Sequence, residues 1–178
     1  MSKILITGGS GMVGESFKLT LPDAIYISSK DFDLREKEQV HAMFDRYRPK
    51  RVIHLASRVG GVLANMTNLG SFYYDNVMIN TNVLEACRLF DVEKALSCLS
   101  TCVYPDKSTY PLTEDQIHNG PPHSSNYTYA YAKRMVDIQS RAYNEQYGVE
   151  ADGNKMKFGT KYISVIPTNI YGPNDNFE

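Results

Sequence analysis

Lys3-Ile4-Leu5-Ile6-Thr7-Gly8-Gly9-Ser10-Gly11-Met12-Val13-Gly14 is the stretch on which the fold of this 178-residue chain turns. Lys3 to Thr7 reads as a short apolar strand, and glycines at 8, 11 and 14 follow it at G-x-x-G-x-x-G spacing. Glycine takes positive φ and leaves room for close backbone approach. A helix predicted from Met12 to Leu21 then directs its N-terminal amides at an anion, as a pyrophosphate site requires. Glycines so spaced are a plain turn as often as a dinucleotide site. The strand before them and the helix after them favour the second.

Working outward, a second strand is expected from Ala24 to Ser28, with the tip Ser28-Ser29-Lys30. An acidic residue at such a tip would hold the ribose 2′-hydroxyl of NAD. Two hydroxyls and an ammonium suit a 2′-phosphate instead, so Ser29 and Lys30 point to NADP, against the alternative of an exposed polar turn. Asp33 and Leu34 are placed beside the adenine. Glu36 to Tyr47 carries Val40, Met43, Phe44 and Tyr47 at helical spacing, a core-facing stripe, with His41 read as a surface residue. A third strand, Arg51 to Leu55, leads into Ala56-Ser57-Arg58-Val59-Gly60-Gly61, a loop where cofactor and substrate would meet. The long helix Tyr73 to Phe90 turns Val77, Leu84 and Cys87 inward, Cys87 as core filler. Its Asn76, Asn80 and Asn82 would face either a polar interface or the cofactor.

The fourth strand, Lys94 to Leu99, ends in Leu99-Ser100-Thr101-Cys102-Val103-Tyr104-Pro105. Two hydroxyls and a thiol thus gather at the carboxyl end of a strand, where open α/β sheets bind ligands. Pro105 to Thr128 is a long polar segment with four prolines, a length that points to a functional loop. Tyr129 and Lys133 lie four apart in the helix Tyr129 to Tyr147 and so share one face. A polar interruption, Glu150 to Lys161, precedes a last strand at Tyr162 to Ile166. Alternating strands and helices give an α/β fold, a doubly wound parallel sheet of Rossmann type.

Composition removes other classes. Nineteen basic against 20 acidic residues leave no nucleic-acid-binding surface, and no apolar run reaches membrane-spanning length. A strand so close to Met1 leaves no room for a signal peptide. Cys87, Cys98 and Cys102 lack metal-ligand spacing, so no metal and a reduced, cytoplasmic compartment are expected.

The glycine motif, Ser100, the Tyr129-x-x-x-Lys133 pair and Pro167-Thr168-Asn169 resemble those of extended short-chain dehydrogenase/reductases acting on nucleotide sugars. Within that superfamily the chain is similar to the GDP-L-fucose synthase family of epimerase/reductases. The matching stretches are Val59 to Gly61, Ser100 to Pro105, Ile117-His118-Asn119-Gly120-Pro121-Pro122-His123, Tyr129 to Met135, and Pro167 through Phe177. The resemblance implies NADP(H), with contacts from Gly8, Gly9, Ser10, Gly11, Met12, Val13, Gly14, Ser29, Lys30, Asp33, Leu34, Leu99, Thr101, Tyr129, Lys133, Pro167, Thr168, Asn169 and Ile170. It implies GDP-4-keto-6-deoxy-D-mannose as substrate, epimerised at the two carbons flanking the ketone and then reduced at the ketone. Ser100 and Tyr129 would stabilise the enolate oxygen, Cys102 would be the base and Lys133 would favour the phenolate. A thiolate near neutral pH requires a lowered or matched pKa. Neighbouring dehydratases typically carry Asp-Glu after the Ser-Thr pair, and simple 4-epimerases need no such base, so Cys102 favours the epimerising reductase; the plainer alternative makes it buried filler, like Cys98.

The resemblance further implies a homodimer through the helices Tyr73 to Phe90 and Tyr129 to Tyr147. It places a general-acid histidine and a substrate-holding part beyond Glu178, so residues 1–178 form one NADP-binding catalytic domain, inactive when taken alone, with 150–161 as a surface insertion. The competing class is a non-catalytic module that binds NADP(H), or nothing.

Overall fold

A computed structural model describes residues 3–148, 159–173 and 175 of the chain. Five strands alternate with helices: β1 (Ile4–Thr7), α1 (Met12–Thr20), β2 (Ile25–Ile27), α2 (Lys37–Tyr47), β3 (Arg51–His54), α3 (Val62–Thr67), α4 (Leu69–Leu89), β4 (Lys94–Cys98), α5 (Tyr127–Tyr147) and β5 (Lys161–Val165). All pairings are parallel, in the order β2-β1-β3-β4-β5. Right-handed crossovers carry the chain one way from β1 to β2 and the other way thereafter. The order therefore reverses between β1 and β3, and the crevice at such a point is where doubly wound sheets bind ligands.

Strands covered on both faces need continuous apolar side chains, and Leu5, Ile6, Ile27 and Val52 are buried accordingly. The stripe on α2 behaves as its spacing predicts. Val40, Met43 and Phe44 are fully buried, and Phe44 meets Phe90 with ring centroids 5.7 Å apart. His41 is half-buried edge-on against Phe90 at 5.6 Å rather than on the open surface. Leu84 and Cys87 are core residues, while Val77 is only half-buried.

Several boundaries differ from the sequence reading. The glycine loop after β3 runs into an extra short helix, α3, and α4 starts at Leu69 rather than Tyr73. Helix α5 starts two residues early, at Tyr127. Residues 150–158 of the expected surface insertion lie outside the described residues. Its expected end is corrected, because Thr160 is buried with its hydroxyl on the Cys87 carbonyl at 3.1 Å and Lys161 already pairs in β5. Among the described residues no helix is long and apolar enough to cross a membrane.

A buried polar chain ties the layers together. Thr7 Oγ1 lies 2.7 Å from His54 Nδ1, His54 Nε2 lies 3.0 Å from Asn80 Oδ1, and Asn80 Nδ2 reaches the Ala132 carbonyl at 3.5 Å. The carboxamide oxygen only accepts, so Nε2 carries the imidazole proton and Nδ1 accepts from Thr7. Burial, then the Lys133 ammonium, depress the His54 pKa from 6.5 to about 4, against the Asn80 hydrogen bond. A depressed folded pKa stabilises the fold above the unfolded value, and this contribution disappears as pH falls from about 6.5 through about 4. His54→Gln is therefore expected to lose stability that depends on pH. Measured by urea unfolding, the gap between wild type and variant should shrink by roughly 3 kcal/mol from pH 7 to pH 4. A gap that stays constant would show that His54 is not held neutral.

Candidate active site

At the carboxyl edge of β1, β3 and β4 opens a cleft of about 1170 Å³. The glycine turn forms one wall. Gly8 has φ +71°, and a Cβ there would stand 2.8 Å from the Ala56 backbone nitrogen; a Cβ at Gly14 would stand 2.6 Å from the Gly8 carbonyl. Strand, turn and helix thus close to backbone contact, which a side chain at either position would prevent. Gly11 caps α1 with extended backbone and no side-chain acceptor, so the first amides of the helix are uncapped where Met12, Val13 and Gly14 line the cleft. That is the arrangement a pyrophosphate needs. Cleft size, glycine turn and helix end together fit a nicotinamide dinucleotide.

Most residues singled out for the cofactor line this one cleft: Gly8, Ser10, Gly11, Met12, Val13, Gly14, Ser29, Asp33, Leu34, Leu99, Thr101, Tyr129, Lys133, Pro167, Thr168, Asn169 and Ile170. Two do not. Gly9 faces β2, its amide donating to the Ile27 carbonyl at 2.8 Å. Lys30 is exposed and does not line the cleft; its amide lies 3.3 Å from Ser28 Oγ. Asp31 is also turned away. Its carboxylate accepts from the Ser28 amide at 2.8 Å and the Ser28 hydroxyl at 2.7 Å, and these bonds hold its pKa below the usual value.

Among the described residues two further cations line the cleft: Arg35, which sequence reasoning missed, and Arg58, which it placed in the loop where cofactor and substrate would meet without singling it out. Arg35 grips Asp33 with contacts of 2.6–3.2 Å and reaches Asp75 of α4 at 3.3 Å, while Arg58 pairs with the other Asp75 oxygen. Hydrogen bonds from Arg35 hold the Asp33 carboxyl below its usual range. The asparagines of α4 face these loops. Asn76 accepts from Ser57 Oγ at 2.7 Å and Arg58 N at 2.9 Å, and donates to the Arg58 and Phe72 carbonyls at 2.8 and 2.7 Å. Asn82 donates to the Leu34 and Arg35 carbonyls.

At the other end Ser100, Tyr129 and Lys133 share the cleft wall. Lys133 is buried; its ammonium donates to the Cys98 carbonyl at 2.8 Å and stands 5.8 Å from the centre of the Tyr129 ring. Burial lowers its pKa from 10.5 to about 8, opposed by the Cys98 and Cys102 thiols. Burial drives the Tyr129 phenol well above 10, with a Ser57 hydrogen bond opposing and the two thiols adding to the rise. Cys98 is no filler: it is half-buried and lines the cleft.

Cys102 lies at a junction. It lines not the large cleft but an adjacent cavity of about 440 Å³, and Thr101 belongs to both. A one-turn 3-10 helix, Thr101–Val103, sets this up: Ser100 Oγ accepts the Cys102 amide at 3.4 Å, and Arg134 donates to the Val103 carbonyl at 2.7 Å. The thiol pKa is not lowered. Burial pushes it up, and the Ser100 hydroxyl and the Lys133 charge offset that only in part. The long polar loop lines this second cavity with Asp106, Tyr110 and His123, beside Tyr104. Its backbone closes from the Asp106 amide to the Pro121 carbonyl at 2.9 Å. His118, by contrast, is bound to Asp137 at 2.9 Å and lines neither cavity.

Comparison with known proteins agrees with this geometry. A GDP-L-fucose synthase from Dictyostelium discoideum is 48% identical over 98% of this chain and 53% of its own length. A probable GDP-L-fucose synthase from Drosophila melanogaster is 44% identical over 99% and 54%. A crystal structure of a GDP-L-fucose synthetase from Naegleria fowleri bound to NADP superposes with TM-score 0.86 at 46% identity, covering 99% of this chain and 56% of that one. The chain thus spans about half the length of these relatives. The model of the NAD dependent epimerase/dehydratase family matches residues 4–178, and this chain belongs to that family.

Proposed function

We propose that the chain is the NADP(H)-binding, catalytic part of an enzyme of the GDP-L-fucose synthase type, a bifunctional isomerase and oxidoreductase. The carrying observation is the placement of Ser100, Tyr129 and Lys133 on one wall of the dinucleotide cleft, with Cys102 at its junction with a second cavity. The relatives' names, and the NADP in the Naegleria structure, support the substrate and cofactor. Bound NADPH supplies the hydride. Ser100, Leu99, Thr101, Pro167, Thr168, Asn169 and Ile170 would hold its nicotinamide end, and Gly8, Ser10, Gly11, Met12, Val13, Gly14, Ser29, Asp33 and Leu34 its adenosine and phosphate end, all of them lining the cleft.

The chain's own groups do the rest. Hydroxyls of Ser100 and Tyr129 polarise the 4-keto oxygen, which acidifies the protons on the flanking carbons. The thiolate form of Cys102 removes those protons from the side of the second cavity. Its raised pKa makes that form scarce but strongly basic, so exchange should climb with pH through the neutral range. Tyr129 delivers the proton to the ketone oxygen during reduction. The Lys133 ammonium stabilises the phenolate left behind and is lost as pH rises through about 8. A homodimer is part of the same reading: Tyr73 and Tyr74 on α4 and Tyr131, Met135 and Ile138 on α5 are exposed apolar side chains suited to an interface. Three free cysteines suit a reduced, cytoplasmic setting.

The test supplies the substrate-holding part by fusing this sequence to the C-terminal half of the Dictyostelium relative. In deuterated buffer with GDP-4-keto-6-deoxy-D-mannose, NMR should show deuterium entering both carbons flanking the ketone, and Cys102→Ser should abolish it. NADPH oxidation should require Tyr129 and Lys133 and fall above about pH 8. Exchange that survives Cys102→Ser would remove the thiol from this role, and a fusion that never oxidises NADPH would end the reading.

Lys133→Met separates function from stability. A buried ammonium whose pKa falls from 10.5 to about 8 destabilises the fold at neutral pH, the cost being relieved only above the folded value. The substitution should stabilise the chain by about 1–2 kcal/mol in urea unfolding at pH 7, after the lost bond to the Cys98 carbonyl, while abolishing reduction. A destabilised variant would mean that the ammonium is better compensated than its surroundings indicate.

A further inference from the structure

We propose that Arg58 is a pyrophosphate-binding residue of the cofactor cleft, held ready by Asn76, Phe72 and Asp75; this rests on the NADP(H) reading of the cleft. The dinucleotide brings phosphate charge, yet the glycine turn, Gly8 to Gly14, carries no basic side chain and Lys30 is outside. Among the described residues, the cationic ones that line the cleft are Arg35, Arg58 and Lys133. Lys133 stands at the catalytic end, committed to the Cys98 carbonyl. Arg35 is engaged by two carboxylates, Asp33 through two of its nitrogens and Asp75 through the third.

Arg58 is held differently. Its backbone is fixed from both sides by the Asn76 carboxamide, its guanidinium carbon lies 4.7 Å from the centre of the Phe72 ring, and Nη1 meets Asp75 Oδ2. A side chain that remains 44% exposed is thus held at two points on the cleft rim, and its backbone at two more. A guanidinium has five N–H donors in a fixed fork. The Asp75 contact uses one nitrogen, and the others suit phosphate oxygens. Place in the fold selects the phosphate: Ala56, two residues before Arg58, is the backbone against which Gly8 closes, so Arg58 belongs beside the glycine turn and the α1 amides. Amides from one side and a guanidinium from the other would then clasp the pyrophosphate.

The pyrophosphate is common to NADPH and NADH, and the 2′-phosphate is not. Titration calorimetry of this chain with each coenzyme should therefore show Arg58→Met weakening both by the same factor, on the order of 10-fold. Methionine keeps the apolar stem on Phe72, and Asp75 keeps Arg35. Arg58→Lys, which retains charge without the fork, should recover part of the affinity for both. Unchanged binding by a folded Arg58→Met overturns the proposal. A loss confined to NADPH also overturns it, by making Arg58 a reader of the 2′-phosphate. Wild-type chain that binds neither coenzyme overturns the NADP(H) reading itself, a result distinct from the other two.

Discussion

The carboxamide of Asn76 is the interaction on which the cleft depends. It is wholly buried and makes all four hydrogen bonds that a primary amide can make, three of them to Ser57 and Arg58 in the loop after β3. That loop has no strand or helix to satisfy its own backbone, and a buried, unpaired amide or carbonyl costs about 1–3 kcal/mol. Satisfying it from a side chain of α4 lets the loop keep a non-repetitive course along the cleft. Asn82 does the same for the Leu34 and Arg35 carbonyls. Asn80 holds the imidazole that joins β1 to β3. One helix, packed between α2 and α5, therefore positions loops from two strands.

This division explains what the sequence discloses. The alternation of strands with helices and the glycine turn are local or periodic: an apolar run, a turn residue and an amphipathic stripe each carry their own signature. Ser100, Tyr129 and Lys133 were legible because strand ends and helical spacing put them on known faces. Arg35 and Asp75 are 40 residues apart, and neither has a local pattern that announces the other. The asparagines were visible as oddities in a helix, but only tertiary contacts say which loops they serve. Lys30 misled for the same reason. A cation at a strand tip has the right composition for a phosphate, yet the backbone of the Ser28–Asp31 turn directs it outward.

Cys102 shows a subtler limit. Its position after Ser100-Thr101 was readable, and so was its nearness to the Ser100 hydroxyl. Its ionisation was not, because the sequence carries no measure of burial. The turn that exposes the thiol to a second cavity also buries it enough to raise its pKa, and the Ser100 hydroxyl, spent partly on the Cys102 amide, recovers only some of the difference.

The two ends of the cleft treat charge in opposite ways, and the contrast follows from what each must do. On one side, Asp33, Arg35, Asp75 and Arg58 form an alternating chain in which each charge has a partner. Such a chain holds geometry. On the other, Lys133 is buried with a carbonyl dipole as its hydrogen-bond acceptor, and the charges that act on it belong to thiols that are neutral until they ionise. A carboxylate there would stabilise the ammonium permanently and lift its pKa back towards 10. Without one, the ammonium is best compensated when Tyr129, Cys98 or Cys102 becomes an anion. Its burial is a stability cost in the resting state that is relieved when a proton leaves a neighbour, so the electrostatic gain falls on the states in which protons move.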